Sequence, residues 1–568
     1  MTIDVTRWLE RDPDPRTREE LQFLIEENLV DEIEKRFKKR LEFGTAGLRG
    51  LMGCGPNRMN RLVIQETATG LGHYLIRHVE NACSRGIVVG YDGRFDSKQF
   101  AHDTAAVLAA LGIKVYLSRH EVPTPVVAFG VKHLDAAGAV VVTASHNPPR
   151  YNGFKVYWEN GAQIIPPHDQ GIAAEIERAA VKPIPLMSLD NAKKKGLLEW
   201  LSDEYVSAYR HAMVNSSLLA NHTNPACMTI AYTALHGVGA SIAEALLHDI
   251  GFTNVLSVPE QRDPEPSFPT VAFPNPEEKG AMDKVIEMAE SLKAQVACAN
   301  DPDADRFAVA VQQLNGRYKM LTGDQLGVLL GHYLLTKTDP SKQLVGNTIV
   351  SSRLLEKIAI DMGAEHYKTL TGFKWLSNMA MQLETEQHQF LFAYEEAIGY
   401  TIGKQVWDKD GLFTFAIFAQ LAAETYTQNK TIWDYLEFIY RKYGIYLNAQ
   451  KSIQFDPELP AIGDKLRANP PEKIAGLKVV QIEDFKASLR FNLSGPTQPL
   501  PYPASDVIIY YLEDQSRIII RPSGTEPKVK CYYEVVGEMS KQESYLDAMK
   551  RMEEKMDALI EAHQESLD

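Results

Sequence analysis

The sequence predicts an α/β protein of three similar α/β units followed by a smaller α+β unit. Three observations predict it. Apolar runs of strand length alternate with helical patterns, and the alternation restarts twice along the chain. Near residue 450 it gives way to closely spaced strands and one last helix. At about 150 residues per domain, the chain is long enough for three or four domains.

Taken in order, the apolar positions Leu21, Leu24, Ile25, Leu29, Ile33, Phe37 and Leu41 fall at helical spacing and predict an amphipathic lead-in helix within 15–43. A glycine-rich loop follows at 42–53, then a helix from Arg61 to Val79. The runs at 86–92, 113–117 and 138–145 read as strands, with a helix over 97–111. The cycle restarts with a strand and loop at 228–239, a helix over 240–250 and a strand entering a loop at 294–306. A third cycle begins at 343–350. It runs through the loop 369–375 and the strand 390–396 to a helix from about Gly411. The runs 506–512 and 516–523 read as paired strands of the last unit.

The 568 residues are 45% hydrophobic and 24% charged, as in an ordinary globular protein, and their net charge of −14 argues against a nucleic-acid or membrane-surface partner. It leaves room for a small anionic substrate, since a local cationic cluster wins at short range. Five scattered cysteines without metal spacing read as free thiols of a reducing compartment. No run approaches the ~18 apolar residues of a membrane span, and no signal-peptide core opens the chain. A cytoplasmic location is expected.

Three loops that follow strands carry chemistry, at the sheet end where α/β proteins bind ligands. In Thr143-Ala144-Ser145-His146-Asn147-Pro148-Pro149 the serine can serve as nucleophile or phosphate carrier, and His146 can donate to a phosphate oxygen. A turn capped by its own Ser and Asn side chains is the competing reading. Lys155 can return to the same site as a charge stabiliser or proton donor. Asp301-Pro302-Asp303-Ala304-Asp305-Arg306 offers three carboxylates at alternate positions, suited to a hard divalent cation. It does not fit a calcium loop of the helix–loop–helix kind, because Arg306 and Gln312 stand where Gly and Glu are needed; a solvated acidic turn stays open. Arg521-Pro522-Ser523-Gly524-Thr525-Glu526-Pro527-Lys528 can bind a phosphate or form a plain hairpin turn. HGVGAS (236–241) lacks the third glycine of a dinucleotide fingerprint.

In this order, FGTAGLRG, TASHNPP, DPDADR, TGFKW, AYEEAIGY and RPSGTEPK resemble the motifs of the α-D-phosphohexomutase superfamily, over about residues 40–535. The N-terminal segment and AYEEAIGY look like its phosphopentomutase-type branch. The resemblance implies three α/β domains with mixed sheets and a smaller α+β C-terminal domain around a central cleft. Their expected bounds are 1–205, 206–320, 321–450 and 451–568. It implies a mutase that interconverts sugar 1-phosphate and 6-phosphate, glucose first, through a phosphoserine and a sugar bisphosphate. Phosphomannomutase, phosphopentomutase and hexose 1,6-bisphosphate synthase are the alternatives.

The resemblance also implies roles. Ser145 carries the phosphoryl group and joins Asp301, Asp303 and Asp305 in binding Mg²⁺. Arg49, His146, Lys155 and Arg306 neutralise charge, with Lys155 and Lys409 as acid/base candidates. Arg521, Ser523, Gly524, Thr525 and Lys528 hold the distal phosphate, while Glu395, Gly372 and Lys374 read the sugar. A sugar bisphosphate acts as activator, and the enzyme is expected as a monomer or homodimer. One departure stands out: many hexomutases carry Glu-x-Ser in the sugar loop, whereas this chain has Glu395-Glu396-Ala397. The missing hydroxyl makes ribose 1-/5-phosphate a plausible pair.

Overall fold

The computed structural model describes residues 4–44, 47–219, 225–313, 315–454, 462–492, 495–522 and 528–565. They form two compact units, one over residues 1–321, 372–381 and 397–427, the other over 322–371, 382–396 and 428–568.

The first unit contains a mixed six-stranded sheet and a mixed five-stranded sheet. In the six-stranded sheet, Gly138–Val142 and Ile87–Tyr91 lie side by side and parallel. Every residue of both strands is buried, as their unbroken apolar sequences require of strands covered on both faces. Val115–Ser118 and then Leu198–Leu201 extend the parallel part. On the other side Tyr151–Trp158 runs antiparallel to Gly138–Val142, and Leu48–Leu51 antiparallel to Tyr151–Trp158 at the edge. In this register Arg49 faces Gly153. Arg49 and Lys155 therefore project from one face as diagonal neighbours.

The lead-in pattern within 15–43 resolves into two helices, Pro15–Glu26 and Val30–Phe37, preceded by Val5–Arg11. The break falls at Asn28, whose φ of 51° is one that asparagine tolerates well. Trp8, Leu21, Leu24 and Phe37 from these helices pack on Cys54, Leu62 and Val63. Arg11 and Arg40 meet the fully buried Glu66, joining helix Val5–Arg11 to helix Arg61–His78.

In the second sheet, Val296–Asn300, Ile230–Thr233 and Val255–Ser257 are parallel, and Phe307–Gln312 turns back antiparallel to Val296–Asn300. Gly237 is required here: a Cβ at that position would lie 2.3 Å from Pro302 Cα. The glycines of HGVG thus let two loops touch.

In the second unit, Gln343–Thr348 lies parallel to Glu365–Thr369 on one side and to Gln389–Glu395 on the other. An antiparallel sheet of eight strands follows, in which Arg517–Pro522 lies between Ile508–Leu512 and Lys528–Gly537. Helix Tyr545–Glu565 packs on this sheet. Among the described residues, no helix is long and apolar enough to cross a membrane.

A buried charge network ties the antiparallel sheet of this unit to the segment after strand Gln343–Thr348. Arg517 donates to Glu534 Oε1 at 3.0 Å and to the carbonyl of Ile349 at 2.9 Å, and Arg353 Nε donates to Glu534 Oε1 at 2.5 Å. Burial alone would push the Glu534 carboxyl up; Arg517 and Arg353 reverse that and hold it down at about 2. With the folded value below the unfolded one, the stabilisation is complete above the ordinary glutamate range and is lost as pH falls through it toward 2. At about 1.4 kcal/mol per pKa unit the contribution is on the order of 3 kcal/mol. In urea titrations, wild type should lose stability more steeply between pH 5 and pH 2.5 than Glu534→Gln. Equal slopes would assign the acid sensitivity to other groups.

Candidate active site

Ser145 lies just beyond the end of the buried strand Gly138–Val142, in a left-handed backbone conformation with φ of 51°. That conformation is costly for a side chain with a Cβ and persists only where its surroundings impose it. The Thr143 hydroxyl accepts from the Ser145 N–H at 2.8 Å and donates to Asp92 at 2.6 Å. From the other side Arg94 donates to the Ser145 carbonyl at 2.6 Å, to that of Pro148 at 2.9 Å and also to those of Asn147 and Tyr151. Arg94 is itself paired with Asp92 at 3.3 Å. One buried guanidinium thus holds the whole turn.

The turn aims the Ser145 hydroxyl at the aspartate loop. Ser145 is 3% exposed, and its Oγ donates to Asp301 Oδ2 at 2.7 Å and lies 3.3 Å from His146 Nδ1. Asp301, Asp303 and Asp305 are all buried, with one oxygen of each within 4.8 Å of the others. The loop closes through the Ala304 N–H on the Asp301 carbonyl at 2.8 Å, with Ala304 at φ 54°. It is fixed to helix Thr124–His133 by the Thr124 N–H on the Asp303 carbonyl at 2.9 Å and the Thr124 hydroxyl on Asp303 Oδ2 at 2.6 Å.

Cations answer these charges. Lys155, 1% exposed, donates to Asp303 at 2.7 Å and to Asp305 at 2.6 Å. Lys409 Nζ sits 3.3 Å from Asp305 and 3.5 Å from Asp408. Asp408 in turn accepts from Tyr157 and Gln163. Arg49 donates to the Asn147 side chain at 2.9 Å, and the Arg306 N–H caps Asp301 Oδ1 at 3.0 Å. Burial pushes the Asp301 carboxyl well up, and its two sister aspartates push further. Burial would raise Asp303 too, but the Lys155 ammonium holds it below the usual carboxylate range. Lys155 is pulled down by burial and carried back above its ordinary value by Asp303 and Asp305, so it stays an ammonium. Burial and the nearby Arg306 and Arg94 lower Arg49 to about 10. Burial together with Arg306 and Arg49 holds His146 well below its usual value.

The trio fits a divalent cation. Asp303 Oδ1 and Asp305 Oδ1 are buried with no hydrogen-bond partner among the described residues, an expensive state that a metal ion would relieve. An all-oxygen donor set suits a hard ion such as Mg²⁺.

Of the remaining residues singled out in the sequence, Gly372 and Lys374 belong to the same unit. Lys374 Nζ approaches the Gly44 carbonyl at 3.4 Å, near the start of the glycine-rich loop. In the second unit, Glu395 ends its strand, and the Tyr532 hydroxyl feels Glu396, Arg521 and Glu395 together. Ser523, Gly524 and Thr525 lie outside the described residues, and of Lys528 only the backbone is described, opening a strand. Sequence reasoning missed Arg94, Asp92 and Thr124. A signal was available for the first two: charges placed directly after a fully apolar strand of the core. Thr124 carried none.

Four consecutive family models match the chain. They are those of phosphoglucomutase/phosphomannomutase alpha/beta/alpha domain I at residues 40–182, domain II at 203–316, domain III at 322–443 and the C-terminal domain at 471–551. The chain belongs to this family of phosphosugar mutases. Among curated relatives, a probable phosphoribomutase of Schizosaccharomyces pombe is 38% identical, covering 93% of this chain and 92% of that one. A glucose 1,6-bisphosphate synthase of Homo sapiens is 34% identical over 98% and 93%. The crystal structure of a putative phosphomannomutase from Thermus thermophilus shares the fold, with a TM-score of 0.67 at 22% identity over 93% and 99% of the two chains.

Metal binding should register as stability, since an ion that binds only the folded state stabilises it by about 2.7 kcal/mol at a hundred times its Kd. Millimolar Mg²⁺ should raise the melting midpoint of the EDTA-treated wild type. It should leave a combined Asp303→Asn, Asp305→Asn variant unmoved. A rise of equal size in both would place the ion elsewhere.

Proposed function

We propose that this chain moves a phosphoryl group between the anomeric oxygen and the terminal hydroxymethyl oxygen of one sugar, with Ser145 as the phosphate carrier. The observation that carries this reading is the Ser145 hydroxyl, buried and 2.7 Å from Asp301, beside the Lys155 ammonium. A plain capped turn needs neither a strained serine nor three buried carboxylates facing it.

In the first half-reaction a sugar hydroxyl oxygen attacks the phosphorus of phosphorylated Ser145. The bond to Ser145 Oγ breaks as the new one forms; the sugar oxygen gives up its proton and the serine oxygen gains one, leaving the Ser145 hydroxyl and a sugar bisphosphate. After the bisphosphate turns round, its other phosphoryl group returns to Ser145. Asp301, Asp303 and Asp305 would hold Mg²⁺, whose positive charge would offset the negative charge of the transferring group. Lys155 and Lys409 hold protons at Nζ beside those carboxylates and are the acid/base candidates. Arg49, Arg306 and His146 offset phosphate charge or donate to its oxygens. The substrate's non-reacting phosphate is assigned to Arg521 with Ser523, Gly524, Thr525 and Lys528. Glu395, Gly372 and Lys374 are assigned to the sugar. A sugar bisphosphate keeps Ser145 charged, and the enzyme works in the cytoplasm as a monomer or homodimer on a small sugar phosphate.

For the sugar, glucose 1-/6-phosphate is the first reading. Ribose 1-/5-phosphate is the second, favoured by Ala397 where a serine hydroxyl would touch a hexose and by the likeness to a phosphoribomutase. The enzyme with Mg²⁺ and a trace of sugar bisphosphate, assayed side by side on glucose, mannose and ribose 1-phosphates, separates these. Ser145→Ala should lower turnover on the preferred sugar by at least about 10⁴-fold. Near-normal turnover in that variant overturns the carrier role. Inorganic phosphate as main product, or dependence on a separate phosphoryl donor, would make the protein a phosphatase or a bisphosphate synthase instead.

A further inference from the structure

Just past the end of strand Gln389–Glu395, one carboxylate is held from one side only. Glu396 is half-buried, while Thr348 and Ser351 beside it are buried. Its Oε2 accepts from the Ser351 hydroxyl at 3.1 Å and lies 3.3 Å from the Thr348 hydroxyl. Its N–H donates to the same Ser351 Oγ at 3.0 Å, and the two hydroxyls are 2.8 Å apart. Each hydroxyl has a single proton to give. With the Ser351 proton on the carboxylate, Thr348 donates to Ser351. Ser351 therefore fixes Glu396 by backbone and side chain at once, and Thr348 fixes Ser351. Glu396 Oε1 takes no hydrogen bond among the described residues. It is an ionised acceptor in a set position, open to a hydroxyl from outside the chain.

The segment that carries Ser351 is itself pinned. Arg517 donates to the Ile349 carbonyl at 2.9 Å and also to that of Ser351. The Ser352 N–H donates to Asp324 Oδ1 at 2.6 Å, and the Tyr394 hydroxyl to the same oxygen at 2.9 Å. Asp324 thus ties the serine segment to the strand that leads into Glu396. Arg517 opens strand Arg517–Pro522, which carries Arg521 near its other end. Burial pushes the Tyr532 hydroxyl up, Glu396 pushes it further and Arg521 offsets part of the rise, so carboxylate and guanidinium both lie close to one phenol oxygen. The place of Glu396 relative to Arg521 is set by a short chain of fixed contacts through Ser351 and Arg517.

We propose that Ser351 and Thr348 are positioning residues for sugar choice: they hold the Glu396 carboxylate at a set distance from the phosphate grip at Arg521, so that Oε1 accepts from one hydroxyl of the sugar whose length fits. The proposal rests on the mutase reading and on the assignment of the non-reacting phosphate to Arg521. A hexose 6-phosphate and a pentose 5-phosphate differ by one carbon between the phosphate and the anomeric oxygen. A fixed acceptor meets a different hydroxyl in each, and a site built to bind one hydroxyl discriminates against a sugar that does not present it.

Full-length wild type, Ser351→Ala, Thr348→Val and Thr348→Ser are assayed with Mg²⁺ and a trace of sugar bisphosphate on glucose 1-phosphate and ribose 1-phosphate. We expect Ser351→Ala to raise KM for the preferred sugar phosphate at least about tenfold with kcat within about threefold, and to shift the ratio of kcat/KM between the two sugars at least about fivefold. Thr348→Val should shift KM and ratio in the same direction by less. Thr348→Ser keeps the hydroxyl and should match wild type. Should Ser351→Ala melt below the assay temperature, the contrast between Thr348→Val and Thr348→Ser carries the test. A ratio within about twofold of wild type in every folded variant that lacks a hydroxyl, or a Thr348→Ser as altered as Thr348→Val, overturns the positioning role. Binding is read apart from turnover, by calorimetry in a Ser145→Ala background. There Ser351→Ala, or Thr348→Val in its place, should weaken the tighter of glucose 6-phosphate and ribose 5-phosphate and leave the Kd of inorganic phosphate unchanged. Equal weakening of inorganic phosphate also overturns the proposal, because the effect then lies in the phosphate grip. Turnover of neither sugar by wild type tells against the mutase reading alone; an unchanged sugar-phosphate Kd tells against the positioning alone.

Discussion

Three carboxylates buried within 4.8 Å of one another are the constraint on which the first unit depends. Each would prefer water, and together they repel. The fold answers with groups drawn from distant parts of the chain: Lys155 from a strand of the six-stranded sheet, Lys409 from the segment before helix Gly411–Thr427, Thr124 from a helix start, and the Arg306 N–H from the loop itself. Two carboxylate oxygens still go unanswered by the described residues. That unmet demand is what suits the trio to a metal ion better than to a salt-bridge network. It is also what gives a serine hydroxyl 2.7 Å away a chemical setting.

Close packing makes the setting rigid. A Cβ on Gly237 would strike Pro302, and a Cβ on Gly411 would lie 2.3 Å from the Arg306 carbonyl, so the aspartate loop is pressed between two backbones that only glycine admits. On the facing side the left-handed Ser145 is held by Thr143 and Arg94. Backbone strain survives where neighbours over-determine it, and here the hydrogen bonds around the turn do so through a single buried ion pair of Asp92 and Arg94.

Much of this was legible in the sequence, for reasons that differ by element. The apolar runs at 86–92 and 138–145 hold the buried strands Ile87–Tyr91 and Gly138–Val142; the second strand ends three residues before its run does, where the backbone turns to present Ser145. The serine and aspartate loops stood out because a serine at a strand exit and carboxylates at alternate positions are the types and spacing that phosphate and metal chemistry use, and the structure brings Ser145 to 2.7 Å from Asp301. The partners that act through geometry did not. Thr124 looks like any helix-starting threonine, and its bond to Asp303 spans 179 positions. The break at Asn28 was hidden because apolar spacing continues across it; the signal was the asparagine, not the period.

The second unit meets a similar electrostatic problem with a different solution. Arg517, Arg353 and Glu534 are buried together, and the guanidinium of Arg517 reaches the carbonyls of Ile349 and Ser351. This fixes the segment between strand Gln343–Thr348 and helix Leu354–Met362, whose Ser351 hydroxyl donates to Glu396 at 3.1 Å and accepts from the Glu396 N–H at 3.0 Å. The end of the AYEEAIGY strand is therefore anchored by hydroxyls from another loop, not by its own sequence. Ala397 offers no hydroxyl at this strand end, while Ser351 and Thr348 supply hydroxyls to the glutamate before it. The rigidity of this loop is thus written in residues outside the motif.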